Sequence, residues 1–259
     1  MEAEGLYMRV VKPFKISFLL VLFTIAVCRK PVAAEPLGPY LPESILRAHG
    51  VALTQHAVVA ALRNKDIEVR RAASNVLTRH WPRMAVSVIQ QALFSEQEPF
   101  TRLFMAADLA RIDDPLGRKT LISECHNDSA WGSVRMYAAT VLSRDFGDDS
   151  CLNPVLDVLQ SEADPKEGEG AKEMALELVP VLIGHVDKSQ SQRLFELLIR
   201  GLRDSHPFLR ITASVTLERL GDVSAIPSLE AAIANDTDEG CLRVMNTRLK
   251  VLQSKRQNQ

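Results

Sequence analysis

The chain has 259 residues, of which 46% are hydrophobic, 24% charged and only 5% aromatic, with a formal charge of −1. Removing residues 1–34 leaves 26 basic against 30 acidic residues, a net charge of −4. A surface of that sign keeps a protein soluble but lacks the basic footprint needed for nucleic-acid phosphates, so no nucleic-acid partner is expected. Leu, Ala and Val dominate over aromatic residues, which favours helices packed on helices rather than a β-sandwich.

The N-terminus has the layout of a secretory signal. Arg9, Lys12 and Lys15 precede the apolar run Ile16 to Val27, and Val32-Ala33-Ala34 offers a cleavage site before Glu35. The run is shorter than the ~20 residues that span a bilayer. The acidic MEAEGLY prefix points to a start at Met8, whereas Arg29 and Lys30 disfavour processing. An uncleaved anchor through residues 16–28, or acylation of Cys28, is the alternative and the one route to a membrane. The expected location is outside the cytoplasm, periplasmic or secreted.

Pro42 to Arg63 reads as a capping hairpin within residues 35–63. From there a short pattern returns: a polar turn, a small or apolar residue, a basic residue, then small residues. The pairs are Val69-Arg70, Thr101-Arg102, Val134-Arg135, Ala171-Lys172, Leu209-Arg210 and Leu242-Arg243, with basic residues 32, 33, 37, 38 and 33 apart. Val69, Ala72, Ala73 and Leu77 share one helical face. A second helix is expected after each first one, at about 83–94, 115–125, 152–160, 190–203 and 224–234. Asp-Asp-Pro at 113–115, Gly147-Asp148 and Gly221-Asp222 mark turns between them. Residues 161–170 and 184–191 are polar insertions that account for the two longer spacings. Residues 64–254 thus form the repeat domain and 255–259 a polar tail. The fold class expected is all-α, an α-solenoid (superhelix) of about six antiparallel helix pairs.

Leu217 to Leu229 (LERLGDVSAIPSL) resembles the HEAT repeat, in the short form found in phycobilisome lyases. Gly221, Asp222, Ala225, Ile226, Pro227 and Leu229 carry the likeness. Gly147, Asp148, Leu152, Pro154 and Leu156 make a looser copy, and Asp113, Asp114, Gly117 and Leu121 a third. The resemblance covers about Val51 to Leu252. It implies a binding scaffold of HEAT-like repeats and says little about activity. The fourth copy, with Lys172 and no clean Gly-Asp turn, departs most.

The repeated basic residues Arg70, Arg102, Arg135, Lys172, Arg210 and Arg243 are read as stacking devices. They are expected to bond carbonyls or an Asp of a neighbouring repeat, with Asp66, Asp204 and Asp238 nearby in sequence. The competing reading is a positive ribbon for an acidic peptide. A partner surface is expected on the inner, concave wall, which second helices line in HEAT-like stacks. On it lie Gln192, Glu196, Arg200 and Arg203, with Gln90, Gln91, Asp157 and Glu230 at comparable positions.

No catalytic residue, cofactor or metal ligand is identified. The six histidines lack ligand spacing, and none precedes a Glu as in the di-iron deoxyhypusine hydroxylases. Cys125-His126 has no third group to complete a nucleophile–base pair. A helix of about 13 residues, about 20 Å long, lies between Cys125 and Cys151, beyond disulfide reach, so free thiols are expected. Asn127 and Asn235 open glycosylation sequons, which in a bacterium are bare turn residues. The function expected is a non-catalytic scaffold for another protein or peptide. The alternatives are an enzyme with an unrecognised site, bilin-lyase-like activity included, or a self-assembling structural unit.

Overall fold

Aspartate and proline decide where the helices begin. In the computed structural model, which describes residues 41–161 and 170–258, thirteen α-helices and no strand are found among the described residues. The first pair is α1 (Pro42–Ala48) and α2 (Gln55–Ala61). Then come α3 (Ile67–His80) with α4 (Pro82–Ser95), α5 (Pro99–Arg111) with α6 (Pro115–Cys125), and α7 (Gly132–Phe146) with α8 (Leu152–Gln160). The array continues with α9 (Gly170–Ile183) and α10 (Lys188–Gly201), α11 (Pro207–Leu220) and α12 (Ile226–Asn235), and closes on α13 (Glu239–Gln257). Proline occupies the first turn of α1, α4, α5, α6, α11 and α12, where its missing N–H costs nothing. Asp66, Asp114, Asp187 and Asp238 accept N–H groups that the first turn cannot pair internally.

The first helices of the pairs, α1, α3, α5, α7, α9, α11 and α13, touch in succession and form a continuous layer. Small residues permit this: Ala72, Ala73, Ala106, Ala107, Ala138, Ala139, Ala175 and Ala213 are all buried on those helices. Second helices such as α4, α6 and α10 each pack against their own first helix and the next one. Among themselves the second helices barely meet, apart from α8 with α10. The buried apolar cluster runs through the array from Leu46 to Leu252. This is the all-α solenoid expected from the spacing of the repeats.

The turns inside the pairs follow the Gly-Asp pattern. Gly147 and Gly221 take left-handed φ values of 62° and 75°, and Asp113 stands in the same conformation at 62°. The next residues, Asp114, Asp148 and Asp222, each accept the N–H two positions on. Gly117 serves a different need. A Cβ there would sit 2.3 Å from the Ala110 nitrogen and 2.5 Å from the Ala106 carbonyl oxygen, so α5 and α6 approach at the limit of backbone contact.

Two expectations change. Cys125 and Cys151 form a disulfide with Cα atoms 6.1 Å apart, whereas free thiols were expected. The intervening helix α7 is indeed long, but neither cysteine lies on it. Cys125 ends α6 and Cys151 caps α8, and the loops flanking α7 double back until the His126 ring bonds the Ser150 carbonyl at 2.9 Å. Also, α13 runs to Gln257, into the polar tail. Pro180 lies inside α9, in the fourth unit that departs most from the repeat. The N-terminal signal and most of the 161–170 insertion lie outside the described residues, and no helix among the described residues is long and apolar enough to cross a membrane.

Substituting Gly117→Ala forces α5 and α6 apart. The expected loss is about 3 kcal/mol in urea unfolding, the upper part of the usual range for overpacking. Gly170→Ala, where a Cβ meets nothing, serves as the control and should not destabilise.

Candidate partner-binding surface and the stacking cations

Each repeat's basic residue sits about one turn inside a first helix, and all but Arg243 reach into the loops between repeats. The Arg70 guanidinium donates to the Asn64 and Lys65 carbonyls at 2.9 and 3.1 Å in the loop before its helix. It also donates to both carboxylate oxygens of Glu96, at 2.6 and 2.9 Å, in the loop after the pair. Arg210 repeats this with the Asp204 and Ser205 carbonyls and with Asp236 at 2.7 and 2.9 Å. Such a fork needs a planar guanidinium. Lys172, lacking it, bonds one carboxylate oxygen of Asp204, at 2.7 Å. Arg102 pairs with Glu124 and reaches the Glu96 carbonyl. Arg135 donates to the Cys125 carbonyl and pairs with the exposed Asp128. Arg243, in α13, is exposed and makes no side-chain bond among the described residues.

The carboxylates have a second task. Glu96, Asp204 and Asp236 each accept the N–H two residues ahead, of Glu98, His206 and Asp238. Asn64 and Asn127 do the same for Asp66 and Ser129. One side chain therefore shapes the turn into the next repeat while it holds the cation of the last. Of the three aspartates read from sequence as partners, only Asp204 serves; Asp66 and Asp238 cap helices instead. The signal overlooked is an acidic or amide residue two before the cap: Asn64/Asp66, Glu96/Glu98, Asp236/Asp238.

Burial pushes the Glu96 and Asp204 carboxyls up, but the bonded cations and turn N–H groups outweigh it and hold both below the usual range. The Arg210 bond depresses Asp236 directly. With side-chain exposures of 5% and 3% for Glu96 and Asp236, these are buried pairs. They differ from surface ion pairs, which contribute little.

A second polar network joins the first helices α3, α5 and α7. Asp108, 3% exposed, accepts from Ser74 at 2.7 Å, Asn75 at 3.3 Å and Arg111 at 3.3 Å, and Arg111 continues to Asp145 at 2.6 Å. Burial raises the Asp108 carboxyl despite these donors, and burial pushes Tyr137, which packs on Phe100 and Phe104, up to about 12. Perturbed groups of this kind often mark active sites. Here the carboxylate is sealed between helices and its donors are spent on packing.

The second helices carry the residues read as partner-binding. Gln90 is half-buried and donates to Asp114 at 3.0 Å, so its amide pins the turn between α5 and α6. Gln192 donates to Glu196 at 2.9 Å, and Glu230 accepts from Gln253 at 3.1 Å, all at the surface. Gln91, Asp157, Arg200 and Arg203 are exposed and make no side-chain bond among the described residues. Because second helices stand apart, clefts open between them. One, between α2 and α4, is floored by Val59 and Val88 and bordered by Gln91. Another, at the ends of α10 and α12, holds Arg203, Asp204, Arg210 and Asp236. Gln192 and Glu196 border a shallower depression on α10 itself with Arg193. The eight residues are thus spread over α4, α8, α10, α12 and the loop after α10. Sequence reasoning missed three exposed aromatics, Phe94 (78% exposed) at the end of α4, Trp131 (68%) before α7 and Phe208 (46%) at the start of α11.

No family model matches the chain, and no curated protein matches it. A solved structure that it is similar to is the complex of CpcE and CpcF of phycocyanin lyase from Nostoc sp. PCC7120. The identity is 18%, over 86% of this chain and 99% of that one, with a TM-score of 0.38. At that score the likeness adds nothing to an architecture that stands on its own helix contacts.

Arg210→Met leaves Asp236 buried without its cation and should cost about 3–5 kcal/mol, whereas Arg243→Met should change stability by less than about 0.5 kcal/mol. Urea unfolding measures both. A carboxyl depressed in the folded state contributes stability that is present above its unfolded value and lost as pH falls through the folded one. Glu96, Asp204 and Asp236 therefore destabilise the array below about pH 4. Asp108, raised by folding, has the opposite sign and offsets part of the loss. The Arg210→Met protein should show a shallower acid transition than the wild type.

Proposed function

We propose that the chain is a non-catalytic scaffold, exported from the cytoplasm, that binds another protein on its second-helix face. One observation supports this most. Most of the first-helix cations and buried carboxylates are committed to joining repeats, whereas Gln91, Asp157, Arg200 and Arg203 on the second helices or just beyond α10 make no side-chain bond among the described residues. A surface with polar groups in fixed register, clefts with partly apolar floors and an exposed aromatic at Phe94 offers both specificity and an anchor. The stacked repeats set that register, and recognition is by shape.

Export rests on the sequence of residues 1–34, and an oxidising compartment suits the Cys125–Cys151 bridge.

The test uses the mature protein as bait in envelope extract, beside an Arg200→Glu/Arg203→Glu variant with unchanged thermal stability. A partner retained by the wild type and lost by at least tenfold in the variant supports the reading. Equal retention by both proteins, or recovery of nothing above background, overturns it.

A further inference from the structure

Beside the disulfide stands a third group with the chemistry of a metal ligand. The sulfurs of Cys125 and Cys151 and a ring nitrogen of His126 all lie within 4.8 Å of one another. Both cysteines are buried and His126 is exposed. The imidazole is already oriented. Its Nε2 lies 2.9 Å from the Ser150 carbonyl oxygen, which can only accept, so Nε2 carries the proton. In the neutral ring Nδ1 then holds a free lone pair. A histidine with one ring nitrogen donating to a backbone carbonyl and the other left with its lone pair is the usual arrangement of a metal-bound imidazole.

We propose that, once the disulfide is reduced, Cys125, Cys151 and His126 bind a thiophilic divalent cation, with Zn²⁺ the natural occupant. Two thiolates and one imidazole are a common zinc donor set, leaving a fourth position for water or an incoming side chain. Zinc–sulfur bonds of about 2.3 Å in tetrahedral geometry set the sulfurs about 3.8 Å apart. With Cα atoms 6.1 Å apart, turning the side chains about Cα–Cβ opens that distance without parting the backbones. The step balances. A dithiol reductant supplies two electrons and two protons to the S–S bond and is itself oxidised to a disulfide. The resulting thiols release two protons when the cation binds. The bridge and the metal are thus alternative ways of joining the end of α6 to the start of α8.

The experiment uses the full chain carrying Cys28→Ser and Cys241→Ser, which leaves only the two cysteines of interest. After reduction and removal of the reductant under anaerobic conditions, Co²⁺ is titrated and then displaced by Zn²⁺. The expected result is one equivalent of Co²⁺ with sulfur-to-cobalt charge-transfer absorption, abolished by Zn²⁺, and silence in the oxidised protein. His126→Ala should weaken binding at least tenfold and reduce the d–d intensity, while leaving the bridge able to form. A second readout covers variants that fold poorly: in the reduced wild-type chain, Zn²⁺ should slow alkylation of Cys125 and Cys151 at least tenfold, mapped by mass spectrometry. Absence of a cobalt spectrum, identical affinity in His126→Ala, or alkylation unaffected by Zn²⁺ overturns the proposal.

Discussion

A helical hairpin cannot bury both of its faces alone, so a row of hairpins becomes one body only if the loops between them are held in register. In this chain cations inside α3, α5, α7, α9 and α11 supply the hold. Arg70 and Arg210 each span two successive loops, taking carbonyls from one and a carboxylate from the other. The carboxylate in turn shapes the entry to the next helix. Because this fork is charged and largely shielded from water, it is costly to leave half-made, which fixes the spacing between neighbours more tightly than apolar packing would. The alanine seam then completes the contact that the fork has positioned.

The two layers divide the labour. First helices lie close, and their polar groups (Ser74, Asp108, Arg111, Asp145) are consumed in joining α3, α5 and α7. Second helices lie across the seams, apart from one another, and leave clefts at the surface. A layer with its chemistry satisfied is a poor place for recognition. A layer with spaced, exposed side chains is a good one.

The fold was legible because repetition multiplies a weak local signal. One Val-Arg pair means nothing, but six basic residues at near-constant spacing located the first helices, and the Gly-Asp turns located most of the second. The pairings were less legible. Glu96 and Asp236 are remote in sequence from the cations they bind, 26 residues in each case, and only the i, i+2 relation to a helix cap betrays them. The disulfide was missed because the length of α7 was taken as the distance between residues that do not lie on it. Linear separation along a helix constrains the helix ends, while the loops beyond can return. Of the surface residues, Gln90 shows the limit of stripe reasoning: its position matched Gln91, yet its amide is spent on Asp114.

The covalent link between Cys125 and Cys151 lies near the middle of the array and closes a loop 26 residues in sequence separation. A stack whose units touch only their neighbours peels from its ends when pulled. Tension entering from either terminus would unravel hairpins one at a time until it met this link. There the intervening stretch, about 90 Å of chain if drawn straight at about 3.5 Å per residue, would be withheld from extension. The molecule therefore carries a built-in stop that shortens its reach under force, and cutting that one bond lengthens the tether without altering any helix sequence.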